Sequence, residues 1–406
     1  PTKVIFGKDT HLQIGTLLKD QHCKKVLIHY GGHSAVKSGL IDEIRSVLDE
    51  SGISYVTLGG VVPNPRLSKV REGIELCKKE GVDFLLAVGG GSVIDSCKAI
   101  GYGLANPDTD VWNFFLRTET PKACLPVGVI LTIAASGSEM SNSCVITNEE
   151  GWLKRSTARN DLCRPRFAIL NPRLTYTLPQ YQTESGCVDI LMHTMERYFV
   201  NIETMEITDS ISESLMQTVI YNSRILLKEP DNYTARAEVM WAGSLSHNGL
   251  TGCGTGGGDW ACHQLEHELG GTYDVAHGAG LAALCRSAAS PCKCWELATP
   301  PTSALCAAHR TPEPPPSTTE TGTPSRCRIS STVRTMDSCG STGNPPHLPQ
   351  GHRNSFRVKY RISSQNVPVF GASLFSGFST FTAVPAIAPM SIFWVAAPGI
   401  PSTVSP

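Results

Sequence analysis

Three histidines fall within the stretch "DWACHQLEHELGGTYDVAHG", which runs from Asp259 to Gly278. His263 and His267 are four residues apart, so on a helix their side chains share one face. His277 follows beyond two glycines that we expect to end this helix and turn the chain back. Imidazoles gathered in this way suit a divalent metal, but histidines that pack in the core or cap a helix explain the spacing equally well.

A second pair with ligand chemistry lies in the segment "CVDILMHTMERY", where Asp189 and His193 are also four residues apart. Most of the other side chains in this segment are apolar, which predicts a buried helix with both residues on one face. A carboxylate inside such a helix is costly unless it is paired or binds a cation. On these residues alone, a hydrogen-bonded buried aspartate is the simpler interpretation.

The segment "AVGGGSVIDSCKAIG" places three consecutive glycines, residues 89–91, directly after an apolar strand. A helix predicted to begin near Ser92 would direct free N–H groups at an anion that the glycines allow to come close. This predicts a pyrophosphate site. The spacing is not GxGxxG, however, so a tight turn without a ligand stays open, and the polar loop "TIAASGSEMSN" adds only further donors.

The elements that must position these residues change along the chain. Apolar runs such as "KKVLIHYGG" and "SYVTLGG" predict strands, and "SGLIDEIRSVLDESG" and "RLSKVREGIELCKKEG" between them predict helices. This alternation is typical of a parallel sheet with helical crossovers. We therefore predict an α/β fold, with an N-terminal doubly wound domain over residues 1–180 followed by an all-helical domain over residues 181–285.

The composition changes abruptly near residue 285. The last 121 residues hold 17 of the 27 prolines but only four of the 36 acidic residues. They show no sustained apolar period, so they cannot bury enough apolar surface to offset chain entropy. We expect residues 286–406 to be a Pro/Ser/Thr-rich disordered tail.

Charge and cysteine content restrict the function classes. A formal net charge of -1 and a pI near 7.0 argue against nucleic acid and membrane partners and favour a small-molecule partner. The 15 cysteines form no CxxC pair, which is typical of reduced thiols in the cytoplasm. The start "PTKVIFGKDT" has no apolar stretch, so we expect no secretory signal, and a few residues preceding Pro1.

Taken as an ordered set, these motifs resemble the iron-containing alcohol dehydrogenases. The glycine turn, the "ASGSE" loop, "DILMH" and "HQLEHELGGTYDVAHG" follow one another as in that family, and the nearest branch is the butanol-dehydrogenase-like NADPH-dependent aldehyde reductases. The resemblance covers residues 1–285 and implies that residues 1–180 form a nucleotide-binding domain and residues 181–285 a metal-binding domain. It stops there, which implies that the helical domain is truncated or replaced after about residue 285. A shifted reading frame or a fused segment would explain the tail that follows.

The resemblance implies a metal site and a catalytic histidine. The implied ligands of one divalent metal are Asp189, His193, His263 and His277. One oxygen and three nitrogen donors suit Fe(II) or Zn(II), whereas magnesium or calcium would take more oxygens. His267 is the implied catalytic residue, a polar group near the nicotinamide and substrate that relays a proton, or alternatively a support for His263. His247 has no partner pattern, and we expect it to be structural or exposed.

The resemblance also implies a cofactor site. Its expected residues are Gly31, Gly32, Ser34, Gly89, Gly90, Gly91, Ser92, Asp95, Thr132, Ser138 and Lys154. Residues 89–92 would meet the pyrophosphate, Asp95, Thr132 and Ser138 the nicotinamide side, and Lys154 the adenosine side. NAD-preferring relatives carry an aspartate at the position of Gly31, so NADP(H) is the expected cofactor.

Two of these motif residues also have simpler interpretations. Asp95 could cap its own helix. The nearby Lys98 could be a solvated charge. Both alternatives follow from the position of these residues in a predicted helix after the glycine turn.

The function implied is metal-assisted hydride transfer between NADP(H) and a small primary alcohol or aldehyde, such as butanol or butyraldehyde. The ligand set and the Gly31 turn argue against glycerol dehydrogenases and dehydroquinate synthases. The competing hypothesis is a catalytically impaired or non-enzymatic relative with a frameshifted C-terminal half. A homodimer is left open as the assembly.

Overall fold

The computed structural model describes residues 1–200 and 205–288, with residues 286–288 described by their backbone alone. The disorder predicted for the tail therefore lies outside the described residues, beyond the few that end the last helix. None of the helices in the described ranges is both long and apolar enough to cross a membrane. The predicted domain boundaries stay predictions.

The described chain forms eight strands and eleven α-helices. The strands are β1 Lys3–Phe6, β2 Lys25–Tyr30, β3 Ser54–Leu58, β4 Phe84–Gly89, β5 Val127–Leu131, β6 Val145–Asn148, β7 Leu153–Ser156 and β8 Phe167–Leu170. The helices up to the last strand are α1 Ile14–Asp20, α2 Ser34–Lys37, α3 Leu40–Ser51, α4 Leu67–Glu80, α5 Gly91–Ala105 and α6 Trp112–Leu116. Those after it are α7 Gln180–Tyr198, α8 Glu206–Leu226, α9 Tyr233–His247, α10 Ala261–Tyr273 and α11 His277–Ala288. Short 3-10 turns lie at Thr10–Gln13, Ser138–Met140, Asp161–Cys163, Pro172–Thr175 and Leu250–Gly252.

Six strands form one parallel sheet in the order β1-β8-β5-β4-β2-β3, and β6 and β7 form a separate antiparallel hairpin. From β2 the chain crosses to β3 on one side, whereas from β4 it crosses to β5 on the other. Ligands of open α/β sheets bind where the strand order reverses in this way, at the carboxyl ends of the strands. The predicted doubly wound fold is confirmed, and its reversal falls between β2 and β4.

Both faces of the sheet are covered, which explains why its central strands read as continuous apolar runs. Every residue of β4 is buried. Leu85 and Ala87 pack in one core with α4 and α5, while Phe84, Leu86 and Val88 pack in the other with α1 and α3. Successive side chains of a strand point to opposite faces, so β4 anchors both cores and holds the glycine turn that follows it.

The second region is helical, as the sequence predicts, with an apolar core shared by α7, α8 and α9. One detail of the prediction is wrong: Gly270 and Gly271 do not end α10, which runs on to Tyr273. A Cβ on Gly271 would lie 2.4 Å from the backbone oxygen of Trp152. These glycines therefore serve close packing against the start of β7 and leave the helix intact.

Candidate active site

A cleft of about 1190 Å³ separates the sheet from the helices. One wall carries the carboxyl ends of β2, β4 and β5, and the other carries residues of α7, α10 and α11. All of the predicted site residues line this cleft except Gly32, which is exposed and lies outside it. The fold thus brings two groups of residues that are far apart in sequence to one opening.

The glycine turn lies at the floor of the cleft. β4 ends at Gly89, and α5 begins at Gly91, one residue earlier than predicted. A Cβ on Gly90 would lie 2.1 Å from Ile133, and one on Gly91 would lie 2.3 Å from the Ser136 hydroxyl. The glycines are therefore required by the protein's own packing, and the N–H groups in the first turn of α5 have no acceptor within the helix. Such N–H groups are suited to an anion.

Lys98 ties the glycine turn to the second loop. Its ammonium is fully buried and donates to the carbonyl oxygens of Ser138, Ser141 and Ser143 and to the Ser138 hydroxyl, at 2.8 to 3.1 Å. The Ser138 hydroxyl in turn donates to Asp95 Oδ1 at 2.5 Å. The interpretation of Lys98 as a solvated charge is therefore wrong, because the lysine forms the internal brace of the loop.

Asp95 does not cap its helix either. The residue at the cap of α5 is Gly90, and the second carboxylate oxygen of Asp95 accepts from the backbone N–H of Val145 at 3.0 Å. Burial raises the pKa of this carboxyl, against the opposing effect of Lys98. Asp95 thus joins α5 to β6 and to the Ser138 loop.

Four predicted metal ligands converge on the opposite wall. Asp189 and His193 project from α7, His263 from α10 and His277 from the first position of α11. Asp189 Oδ1 lies 3.4 Å from His193 Nδ1, 3.5 Å from His263 Nε2 and 3.6 Å from His277 Nε2. Asp189, His263 and His277 thus offer ligand atoms that all lie within 4.8 Å of one another. His193 approaches Asp189 but is not part of this mutually close set.

The donor set fits a divalent cation. Ligand atoms about 2.1 Å from a tetrahedral ion stand about 3.4 Å from one another, close to the three separations from Asp189 Oδ1. Among the described residues, Asp189 Oδ1, His193 Nδ1 and His263 Nε2 are buried without a hydrogen-bond partner. Buried polar atoms of this kind are costly, and a cation held by Asp189, His263 and His277 would satisfy the atoms of Asp189 and His263.

Two buried carboxylates outside this set orient the histidines. Glu196 accepts from His263 Nδ1, and Glu266 accepts from His277 Nδ1. Glu196 also accepts from the backbone N–H of Cys262 at 2.7 Å. A carboxylate on one ring nitrogen fixes the ring and leaves the other nitrogen free to bind metal. Both Nε2 atoms therefore face Asp189.

The electrostatics favour a cation at the cluster. Burial, together with His247 and His263, holds the pKa of His193 well below its ordinary value. Burial also acts to lower the pKa of His263, but the carboxylates of Asp189 and Glu196 outweigh it and raise this pKa to about 9. The site thus offers a neutral imidazole and two carboxylates that draw positive charge to His263.

His267 and His247 flank the cluster without joining it. His267 lies on the same face of α10 as His263, with its ring 6.0 Å from that of His277. Burial, Lys154 and His277 keep the pKa of His267 well below its ordinary value. The half-buried His247, expected to be structural or exposed, lies in the cleft wall with its ring 4.1 Å from that of His193.

The direction of the hydrogen bonds around His247 follows from chemistry. Arg197 donates to His247 Nδ1 at 3.1 Å, so this nitrogen accepts, and Nε2 carries the proton toward Ser143 Oγ at 3.0 Å. Trp260 covers the group, with its ring 5.2 Å from that of His263. This wall is therefore hydrogen-bonded and partly aromatic.

A parallel sheet with a glycine turn at its reversal point, facing a buried carboxylate–histidine cluster, defines an α/β nucleotide-binding enzyme with a candidate metal centre. Residues 1–172 match the family described as iron-containing alcohol dehydrogenase, and residues 183–289 match the C-terminal part of the Fe-containing alcohol dehydrogenase family.

Individual relatives agree with this match. The chain is 42% identical over 284 residues to NADH-dependent butanol dehydrogenase A of Clostridium acetobutylicum, which covers 70% of this chain and 72% of that enzyme. It is 38% identical over 285 residues to the NADPH-dependent aldehyde reductase YqhD of Escherichia coli, with the same coverage. The crystal structure of NADH-dependent butanol dehydrogenase A from Thermotoga maritima matches with a TM-score of 0.68 and 41% identity over 70% of each chain. The chain belongs to the iron-containing alcohol dehydrogenase family, a class of oxidoreductases.

Sequence reasoning missed two site residues, Glu196 and Glu266. Glu196 lies one turn after His193 on α7, and Glu266 lies one turn after His263 on α10. The pairs that the sequence analysis used are spaced i, i+4, but an i, i+3 spacing also places two side chains on one helix face, so this signal was available for both. Charged residues at such positions usually face solvent, so spacing alone did not single them out.

Proposed function

We propose that this protein transfers a hydride between NADP(H) and a small primary alcohol or its aldehyde, with Fe(II) or Zn(II) held by Asp189, His193, His263 and His277. The observation that carries the proposal is the convergence of unpartnered donor atoms in the cleft that also contains the glycine turn. When bound, the cation would supply Lewis acidity toward the substrate oxygen.

The rest of the chemistry belongs to the chain itself. The N–H groups of residues 89–92 would hold the pyrophosphate, and Asp95, Thr132 and Ser138 would contact the nicotinamide side. The braced loop around Lys98 keeps these groups in place before the cofactor arrives, which lowers the cost of ordering them. Trp260 gives the opposite wall an aromatic surface.

Alcohol oxidation releases one hydride to NADP⁺ and one proton to the solvent. His267 is the proposed carrier of that proton, because it lines the cleft next to the metal ligands. Burial and the neighbouring Lys154 lower its pKa, so the imidazole is neutral and has a ring nitrogen that can accept a proton.

The preference for NADP(H) rests on Gly31. This residue follows β2 at the edge of the cleft, where an aspartate would repel a 2'-phosphate. The relatives are of both kinds, because the butanol dehydrogenases are named NADH-dependent and YqhD is named NADPH-dependent. Gly31 therefore supports NADP(H) as the cofactor, whereas the names of the relatives do not distinguish NADPH from NADH.

The second candidate is an impaired relative. The match to butanol dehydrogenase A covers 72% of that enzyme, and residues beyond 289 of this chain fall outside both family matches. Part of the cleft of the relatives would then have no counterpart here. The cytoplasmic location and the homodimer stay predictions.

One experiment separates the two candidates. The full chain is loaded with Fe(II) or Zn(II) without oxygen, its bound metal is measured, and NADPH oxidation is followed with butyraldehyde, with a chelated sample as the control. Stoichiometric metal and metal-dependent NADPH oxidation support the enzyme. Bound metal without turnover, or neither, supports the impaired relative.

A further inference from the structure

Lys154, expected on the adenosine side of the cofactor, lies beside the metal ligands. It stands on β7, and its ammonium donates to Glu266 Oε2 on α10 at 2.9 Å. The two side chains are only 5% and 0% exposed. A buried ion pair is stable only if both charges stay together, because removing one leaves the other uncompensated.

The same carboxylate oxygen serves His277. Glu266 Oε2 accepts from His277 Nδ1 as well as from Lys154, whose ammonium lies 3.5 Å from that ring nitrogen. His277 is the most exposed of the four candidate ligands, at 27%. His277 therefore has the fewest surrounding atoms to fix its ring, and Glu266 orients that ring. Lys154 in turn holds Glu266 in place.

Glycines make room for this arrangement. A Cβ on Gly270 would lie 2.8 Å from Glu266 Oε1 and 2.9 Å from Lys154 Nζ. A Cβ on Gly280 of α11 would lie 2.9 Å from Glu266 Cγ. The hairpin and two helices thus approach closely around the pair, and a side chain at either position would displace it.

We propose that Lys154 is a positioning residue of the metal centre: by anchoring Glu266 it sets the orientation of His277 and so the affinity for the divalent cation. The inference rests on the metal ligands of the proposed function. It gives β7 of the α/β region a direct part in the helical site.

The chain supplies a matched control pair. Arg155, the next residue on β7, pairs with Glu268 on α10 at 2.7 Å, but these side chains are 36% and 49% exposed. Exposed pairs contribute little. Arg155→Met and Glu268→Gln therefore remove the same charges from the same elements. Glu268→Gln is the cleaner control, because Arg155 also donates to the backbone oxygen of Lys154 at 2.9 Å.

The test compares the full-length Lys154→Met and Glu266→Gln proteins with the two control variants. Zn(II) affinity is measured by competition with a chromophoric chelator, the Co(II) visible spectrum reports ligand geometry, and NADPH affinity is measured without metal. We expect about 10- to 100-fold weaker Zn(II) binding and an altered Co(II) spectrum for both test variants. Metal binding by the two control variants should be unchanged, and NADPH affinity should be unchanged in all four variants. Lys154→Arg should recover part of the Zn(II) affinity.

A folded Lys154→Met protein with unchanged Zn(II) affinity and weakened NADPH binding would overturn the inference and favour the adenosine-side role. If circular dichroism shows that Lys154→Met does not fold, the nearly isosteric Glu266→Gln decides. Wild-type protein that binds no metal would overturn the proposed function together with the inference. Wild-type protein that binds metal no better than the test variants would overturn the inference alone.

Discussion

The two walls of the cleft differ in how fully their buried polar groups are hydrogen-bonded. On the sheet side, the polar groups of Lys98, Asp95 and Ser138 satisfy one another. On the helical side, donor atoms of Asp189, His193 and His263 are buried without partners. Each such atom destabilises the folded protein by about 1–3 kcal/mol. The helical wall therefore carries an unfavourable free energy that the hydrogen-bonded groups of the sheet wall do not.

The difference indicates two strategies for binding. The cofactor wall is preorganised and needs only the ligand's own contacts, whereas the metal wall is completed by its ligand. We therefore expect the cation to change the stability of the helices more than that of the sheet. The following changes test this contrast, from the largest expected effect to the smallest.

His263→Ala should have the largest effect. It removes one donor nitrogen and the partner of Glu196, so we expect loss of stoichiometric metal and about a 10³-fold fall in aldehyde reduction, because Lewis acidity contributes several kcal/mol. Metal analysis and kcat/KM measure the two effects. Leu265→Ala, at an exposed position on the same helix, is the control, and full retention of metal by the His263 variant would remove that residue from the ligand set.

Lys98→Met breaks the other wall. Three carbonyl oxygens and Asp95 lose a buried cation, so the free energy of unfolding should fall by about 3–5 kcal/mol, as measured with urea. Lys78→Met removes an exposed lysine of α4 and should change little. If Lys98→Met lowered the free energy of unfolding by less than about 1 kcal/mol, Lys98 would not be the brace of the loop.

Metal removal sharpens the contrast without a mutation. With free metal at about 100 times its Kd, stability should exceed that of the chelated protein by about 2.7 kcal/mol. Hydrogen exchange should slow most in α7 and α10 and least in β4. Equal slowing across both regions would show that the walls do not differ in this way.

Gly31→Asp should have the smallest effect, a shift of about 10- to 100-fold in kcat/KM from NADPH toward NADH. A Cβ at this position meets nothing closer than the Val61 carbonyl at 3.5 Å, so the fold should tolerate the change. Gly32→Asp, with open space around it and outside the cleft, is the control. An undiminished NADPH preference in the Gly31 variant would refute this role of Gly31.

Much of the architecture could be predicted because its signals are local. The buried strand before the glycine turn, the helices of the second region and the four-residue spacing of Asp189 and His193 all follow from periods of two and 3.6 residues. The end of α10 could not be predicted in this way. Gly270 and Gly271 carry the signal of a helix terminus, yet packing against Trp152 accounts for them.

The sequence by itself determined the order of strands and helices, the glycine turn and the chemical types of the candidate ligands, because these depend on neighbours within one or two turns. Only the tertiary structure decided that Lys98 is buried, that Glu196 and Glu266 orient two histidines, and that Lys154 meets a carboxylate 112 residues away. These contacts depend on which faces pack together. The packing of these faces depends on the whole core, so it cannot be predicted from the spacing of residues within one segment.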